Sequence, residues 1–219
     1  MQPHADDIKK GQQIYNPFVL GMYNLFVLGF SCRFVWRCPT NHTVEFYSKH
    51  ITDKHLDVGV GTGYLLDHCR FPSKKPELGL LDMNENCLKH TSRLLQRYEP
   101  VIYQADIYQP LDLVQHKYDS IGLNYVLHCL PGTFAEKSAV IKNLKSCMTE
   151  NGKLFGSTIL AKDQEHNWLA KRLLTLYNNK GVFGNWQDDE QGLIEMLKQH
   201  FANVDVRVKG TVAFFTASD

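Results

Sequence analysis

Three glycines spaced two residues apart follow a short apolar run in the stretch His-Leu-Asp-Val-Gly-Val-Gly-Thr-Gly-Tyr-Leu-Leu, residues 55–66. Leu56, Asp57 and Val58 read as a short buried strand, and Gly59, Gly61 and Gly63 crowd the turn that must follow it. A strand entering a glycine turn and then a helix brings backbone N–H groups up to a ligand, because no Cβ blocks the approach. Three alternating glycines are costly to order unless close approach requires them. The turn therefore predicts a bound ligand that is small and partly charged.

The spacing narrows what that ligand is. Dinucleotide folds use G-x-G-x-x-G, whose third glycine lets the helix pack on the strand. Here that position is Tyr64, and the glycine falls one residue earlier. Asp57, two residues before the first glycine, would repel a pyrophosphate and suits a cationic ligand. The run Asp57-Val-Gly-Val-Gly-Thr-Gly63 resembles motif I of the class I S-adenosylmethionine-dependent methyltransferases. The resemblance implies a loop wrapped round the amino-acid end of the cofactor, with the acid reaching its ammonium directly or through water.

Charge and cysteine usage exclude other classes. Across 219 residues, 24 basic and 23 acidic side chains leave a formal net charge of +1, so charge calls for neither nucleic acid nor an anionic membrane as partner. Six cysteines are scattered without a Cys-x-x-Cys pair, which indicates no metal site and reduced thiols in a cytoplasmic protein. The apolar run from Phe18 to Trp36 nears the length of a membrane span. Gly21, Tyr23, Asn24, Gly29, Ser31 and Arg33 interrupt it, and their polar groups would be costly in lipid, so a buried or lid helix is expected.

Along the chain, helical spacing of Ile14, Phe18, Met22, Leu25 and Phe26 predicts a helix over Gln12–Leu28, broken at Gly29 and Ser31. A turn at Pro39 and a short helix over Val44–His50 follow, making residues 1–50 an N-terminal helical cap and 51–219 the core. Strands are expected at His55–Val58, Glu77–Asp82, Pro100–Gln104, Ser120–Leu123 and Gly152–Ile159. Helices are expected between them at Tyr64–Cys69, Asn84–Tyr98 and Phe134–Met148, and beyond them at Gln164–Asn178 and Asp188–His200. The last two strands, Val204–Val208 and Thr211–Thr216, are separated only by Lys209 and Gly210, a link that permits a hairpin and forbids a parallel crossover. The fold class is thus α/β: a Rossmann-like, seven-stranded, mostly parallel sheet with a C-terminal antiparallel hairpin strand, as the resemblance also implies.

Several residues sit where ligands of open α/β sheets bind, beyond the strand C-termini. Asp82 ends the second strand, where a carboxylate can accept both ribose hydroxyls, the role the resemblance gives that position. An N-cap role fits Asp82 too, although Asn84 could do the same job. Asp106 follows the third strand and looks like the family's adenine-side acid, with Ile107 and Met83 able to pack on the two ring faces. Asn124, after the fourth strand, would by resemblance face the sulfonium end. His128 is the candidate general base, since an imidazole titrates near neutral pH. Tyr15 and Tyr23 are candidates to close an aromatic face over the sulfonium, and Arg37 to hold the cofactor carboxylate. Trp168, Tyr177, Phe183 and Trp186 either line an acceptor pocket or fill a core, and Leu176–Trp186 suits a lid.

The leading reading is direct, in-line methyl transfer from S-adenosylmethionine to a small-molecule acceptor, at oxygen, nitrogen or carbon. The alternatives are a cofactor-binding relative with other chemistry or none, and an NAD-dependent oxidoreductase. The oligomeric state is left open by the sequence.

Overall fold

In the computed structural model, which describes residues 24–111 and 117–219, seven strands form one sheet in the order β3-β2-β1-β4-β5-β7-β6. They are β1 (Lys54–Val58), β2 (Glu77–Asp82), β3 (Val101–Gln104), β4 (Tyr118–Asn124), β5 (Met148–Ile159), β6 (Asn203–Lys209) and β7 (Val212–Ser218). The first five pair in parallel, whereas β7 runs antiparallel to both β5 and β6. The strand order doubles back at β1 and β4, so the loops leaving these two neighbours diverge to opposite faces and open a crevice between them.

Six α-helices cover the sheet among the described residues: α1 (Thr40–His50), α2 (Tyr64–His68), α3 (Glu85–Leu94), α4 (Phe134–Lys145), α5 (Trp168–Asn179) and α6 (Glu190–Lys198). Their starts follow from capping chemistry. Asn84, Asn167 and Asp189 each accept a backbone N–H of the first turn, and Thr133 with Glu136 forms a reciprocal capping box. On α4 the residues Lys137, Val140, Ile141 and Leu144 fall on one buried stripe at helical spacing, so a lysine is carried into the core. One core packs Ile121, Leu154 and Phe215 of the sheet against α4 and α6. Another, on the opposite face, joins Leu80 and Phe155 to Tyr47 of α1, Leu66 of α2 and Leu88 of α3.

The expected elements are present with shifted ends. The fifth strand starts at Met148 because that residue pairs with Tyr118 across a bulge, which takes the last turn from the helix expected to reach it. The helix expected over Asn84–Tyr98 stops at Leu94 and gives way to a short 3-10 turn, Gln96–Tyr98. The chain does not break at Gly29 and Ser31: Asn24–Val35 is a π-helix, whose wide turn continues into the bond from Trp36 N–H to Ser31 O. Most of the helix expected over Gln12–Leu28 lies outside the described residues. No helix among the described residues is long and apolar enough to cross a membrane.

The segment before β1 is fastened to the core. Thr211 N–H donates to Trp36 O at 3.0 Å, and a Cβ at Gly210, φ +64°, would run into the carbonyls of Trp36 and Arg37. The two-residue β6–β7 turn therefore seats the N-terminal segment beside the sheet.

Candidate functional site

A cavity of about 660 Å³ opens over the C-terminal ends of β1, β2 and β4. Its floor is the glycine turn. Gly59, Gly61 and Gly63 all have left-handed φ, at +72°, +52° and +72°. The space beside Gly59 is taken by Val126 and that beside Gly63 by Thr91. At Gly61, in contrast, only the Gly59 carbonyl comes within 4.0 Å of an added Cβ. This is the one glycine of the three whose missing side chain leaves open room, and it lines the cavity.

Asp57 lies at the inner edge of the turn, 7 % exposed. Tyr47 of α1 donates its hydroxyl to Asp57 Oδ1 at 2.7 Å. Burial raises the Asp57 carboxyl to about 7, against the lowering influence of the Tyr47 bond and with a further raise from the Asp82 charge. A carboxyl so desolvated gains from a cation brought alongside it. Asp82 accepts Asn84 N–H at 2.8 Å on Oδ1 and Gly61 N–H at 3.4 Å on Oδ2, and burial pushes its carboxyl up as well. Since Asn84 itself caps α3, Asp82 is not needed as the cap and faces the cavity.

Met83, Asp106 and Ile107 line the next part of the wall. Asp106 Oδ1 accepts Tyr108 N–H at 2.9 Å, an Asx turn that sets the loop after β3. Asn124, 7 % exposed, accepts the Ser157 hydroxyl on Oδ1 at 3.0 Å, while its Nδ2 has no hydrogen-bond partner among the described residues. A buried amide left half-satisfied beside a cavity is what a ligand-facing group looks like.

Beyond Asn124 the chain bends sharply. Tyr125 has φ +56°, uncommon for a bulky residue, and is held there by its N–H on Ser157 O at 2.7 Å and its hydroxyl on Thr43 Oγ1 at 3.0 Å. The bend drives Val126 under Gly59 and presents His128 from the 3-10 turn Leu127–Cys129. His128 is buried and packs edge-to-face on Phe183 at 4.6 Å. Ile159 N–H donates to its Nδ1 at 3.4 Å, which leaves the proton on Nε2. Burial first, and then Lys137, lowers the imidazole to about 3.

Trp36, Tyr177 and Phe183 form an aromatic wall facing His128, with Trp36–Phe183 and Tyr177–Phe183 centroids at 6.2 and 5.0 Å. Among the four aromatics of uncertain role in the sequence, Tyr177 and Phe183 line the cavity, whereas Trp168 and Trp186 are exposed elsewhere. Arg37 does not reach the cavity: its guanidinium donates to Glu165 O at 3.0 Å. Tyr15 and Tyr23 lie outside the described residues. Sequence reasoning missed Thr43, Tyr47, His55 and Tyr125. The one signal available was a histidine and an aspartate alternating with apolar residues on a central strand, where polar groups need buried partners.

The comparisons agree with this geometry. The family described as "Methyltransferase domain" matches residues 56–154. The chain is 38% identical to the methyltransferase aurB of Calcarisporium arbuscula, over 93% of this chain and 94% of the relative. It is 32% identical to the demethylluteothin O-methyltransferase of Streptomyces thioluteus, over 94% and 90%. The fold is that of the solved DhpI–SAH complex, with a TM-score of 0.67, 12% identity and 97% of each chain covered. A strand, a glycine turn and two strand-end acids in this order, together with relatives matched along nearly their whole length, make the chain a member of the class I S-adenosylmethionine-dependent methyltransferases.

Proposed function

We propose that the protein methylates a hydroxyl oxygen of a small, flat, uncharged molecule. The observation that carries this reading is the sharing of one cavity by the acid-lined glycine turn and the aromatic wall around His128. Among the described residues of the wall half, Lys180 is the one charged side chain, so the lining favours an apolar ring over an ionic acceptor. Similarity to an O-methyltransferase supports oxygen as the atom methylated.

The residues present fit the cofactor. S-adenosylmethionine supplies an electrophilic methyl group on a sulfonium. Asp57 would take its ammonium, Asp82 the ribose hydroxyls and Asp106 the adenine amino group, with Met83 and Ile107 on the ring faces. Asn124 Nδ2, a donor short of a partner, would turn to the methionine end. Gly61 leaves the approach open.

His128 stands at the acceptor oxygen in this reading. With Nδ1 occupied by the Ile159 N–H, Nε2 presents a proton and acts as a donor that orients the oxygen lone pair toward the methyl carbon. A base whose conjugate acid titrates at about 3 removes little from a hydroxyl at neutral pH, so alignment is the larger contribution and the hydroxyl proton passes to water as the C–S bond breaks and the O–C bond forms. The cysteines, all unpaired, suit a reducing cytoplasm.

The test is incubation with methyl-labelled S-adenosylmethionine and a panel of phenols, aromatic amines and carboxylic acids. Label transferred to phenolic oxygen supports the reading, and transfer confined to amines or carboxylates refutes it.

A further inference from the structure

A line of hydrogen bonds runs through the sheet to the back of Asp57. Thr52 N–H donates to Ser120 Oγ at 3.0 Å, Ser120 Oγ lies 2.8 Å from His55 Nδ1, His55 Nε2 lies 2.8 Å from the Tyr47 hydroxyl, and that hydroxyl lies 2.7 Å from Asp57 Oδ1. Tyr47 and His55 are fully buried, and so is Ser120. Four polar groups this deep do not serve packing alone, because apolar side chains would fill the same space without needing partners.

The direction of the line follows from valence. An ionised Asp57 only accepts, so the Tyr47 proton points at it. Tyr47 oxygen must then accept from His55 Nε2–H, and His55 Nδ1, without a proton, must accept from Ser120. Ser120 keeps its one proton for His55 when the Thr52 hydroxyl, 2.8 Å away, donates to Ser120 Oγ alongside Thr52 N–H. Every donor points toward the carboxylate. A proton on Asp57 Oδ1 demands the reverse order, with Asp57 donating to Tyr47, Tyr47 to His55 Nε2 and His55 Nδ1–H to Ser120, whereas a proton on Oδ2 leaves the order unchanged and removes the charge that an ammonium needs. The neutral histidine that both orders need is secured by burial, which lowers the ring to about 3, and by Phe155, stacked on it at 5.7 Å.

Resting on the proposed cofactor site, we propose that Tyr47 is a positioning residue for cofactor binding: backed by His55 and Ser120, it holds Asp57 ionised at the cavity wall, where it can take an ammonium. The Tyr47 hydroxyl is held on Oδ1, and Asp57 lines the cavity. Gly122 leaves the room this arrangement needs, since a Cβ there would come within 3.1 Å of both Asp57 Oδ1 and His55 Cε1. Tyr47 shares a face of α1 with Thr43, one turn earlier, which holds Tyr125. One helix thus braces both the acid of the cofactor half and the strained residue of the acceptor half.

The titratable groups facing Asp57 are Tyr47 from α1, His55 on β1, Asp82 at the end of β2 and Cys69 after α2. His55 and Cys69 stay neutral between pH 6 and 8.5, as burial lowers the first to about 3 and raises the second to about 12. Asp82 remains in every variant. A change in the pH midpoint on removing the Tyr47 hydroxyl therefore reports on Asp57.

The experiment is calorimetric titration of S-adenosylhomocysteine into wild type, Tyr47→Phe, Ser120→Ala and Thr43→Val at several pH values from 6 to 8.5. Tyr47→Phe is expected to bind about tenfold more weakly at pH 7. Its affinity should reach half of the plateau at a pH about one unit higher than in wild type, because Asp57 has lost the donor that favours its charged form. Ser120→Ala should shift the midpoint the same way by less. Thr43→Val loosens the same helix, and should lower the melting temperature while leaving the midpoint where it is. An unchanged midpoint in Tyr47→Phe, or an equal shift in Thr43→Val, overturns the proposal and leaves the cofactor site standing. Absence of binding by folded wild type overturns both.

Discussion

Val126 fills the space that a side chain on Gly59 would occupy, so the turn under the cofactor half and the loop that carries His128 are interlocked. The strained Tyr125 produces this fit by bending the chain as it leaves β4. The two halves of the cavity are in this sense one rigid piece, which suits a reaction limited by alignment.

The two glycines of the turn should fail differently. Gly59→Ala meets both a left-handed φ and the Val126 methyl, and should cost about 2–4 kcal/mol in urea unfolding. Gly61→Ala meets only the backbone strain, about 1–2 kcal/mol, yet its methyl enters the cavity. It should bind S-adenosylhomocysteine at least tenfold more weakly while remaining folded, as titration calorimetry and circular dichroism together would reveal.

Asp57→Asn should stabilise the free protein. The Asp57 carboxyl stands at about 7 in the folded chain against an unfolded value near 3.8, so its contribution is fully present below about pH 4 and is lost as the pH rises through 7. The amide has no such loss. The variant should therefore melt higher than wild type at pH 8, by roughly 1–3 kcal/mol or about 3–8 °C, with a smaller gap at pH 5. Added S-adenosylhomocysteine should close or reverse the gap by stabilising wild type alone.

Lys137 and Asp188, both fully buried, are joined at 2.9 and 2.7 Å, and the same ammonium holds Gly184 O at 3.0 Å beside the aromatic wall. Burial pushes the aspartate up to about 6 and the lysine down, each opposed by its partner. Lys137→Met leaves a buried carboxylate unpaired and should cost about 3–5 kcal/mol, whereas Lys137→Met with Asp188→Leu should recover most of it. The single variant should also raise the acceptor KM more than the cofactor KM, because Gly184 adjoins Phe183.

Replacing His128 by Ala should lower kcat by about 10- to 100-fold with little change in cofactor affinity. If His128 orients the oxygen, the wild-type kcat should show no ionisation with an imidazole value between pH 5.5 and 9, beyond that of the acceptor itself. A limb near 6.5 that disappears in the variant would instead identify a base.

Much of this architecture could be read from residues alone because its signals are local. Gly59, Gly61 and Gly63 betray a left-handed turn, strand-end acids betray the binding edge, and the Lys209–Gly210 link allows only a hairpin. The brace behind the site was hidden because it depends on long-range pairing. Tyr47 and Asp57 are ten residues apart, but His55 and Ser120 are separated by 65 and meet only because β1 pairs with β4. The Lys137–Asp188 pair is equally remote in sequence, and a lysine on an apolar stripe gives no hint of its partner. The π-helix went unforeseen since Gly29 and Ser31 read as breakers of an α-helix, whereas the wider turn accommodates them.

The central claim is that Asp57 and the glycine turn seat the amino-acid end of S-adenosylmethionine. It is tested most directly by comparing S-adenosylmethionine with methylthioadenosine, which lacks that end, in calorimetric titrations at pH 7.5. The account predicts binding of the full cofactor at least tenfold tighter, a difference abolished in Asp57→Asn. Equal affinity for the two compounds in wild type would contradict it.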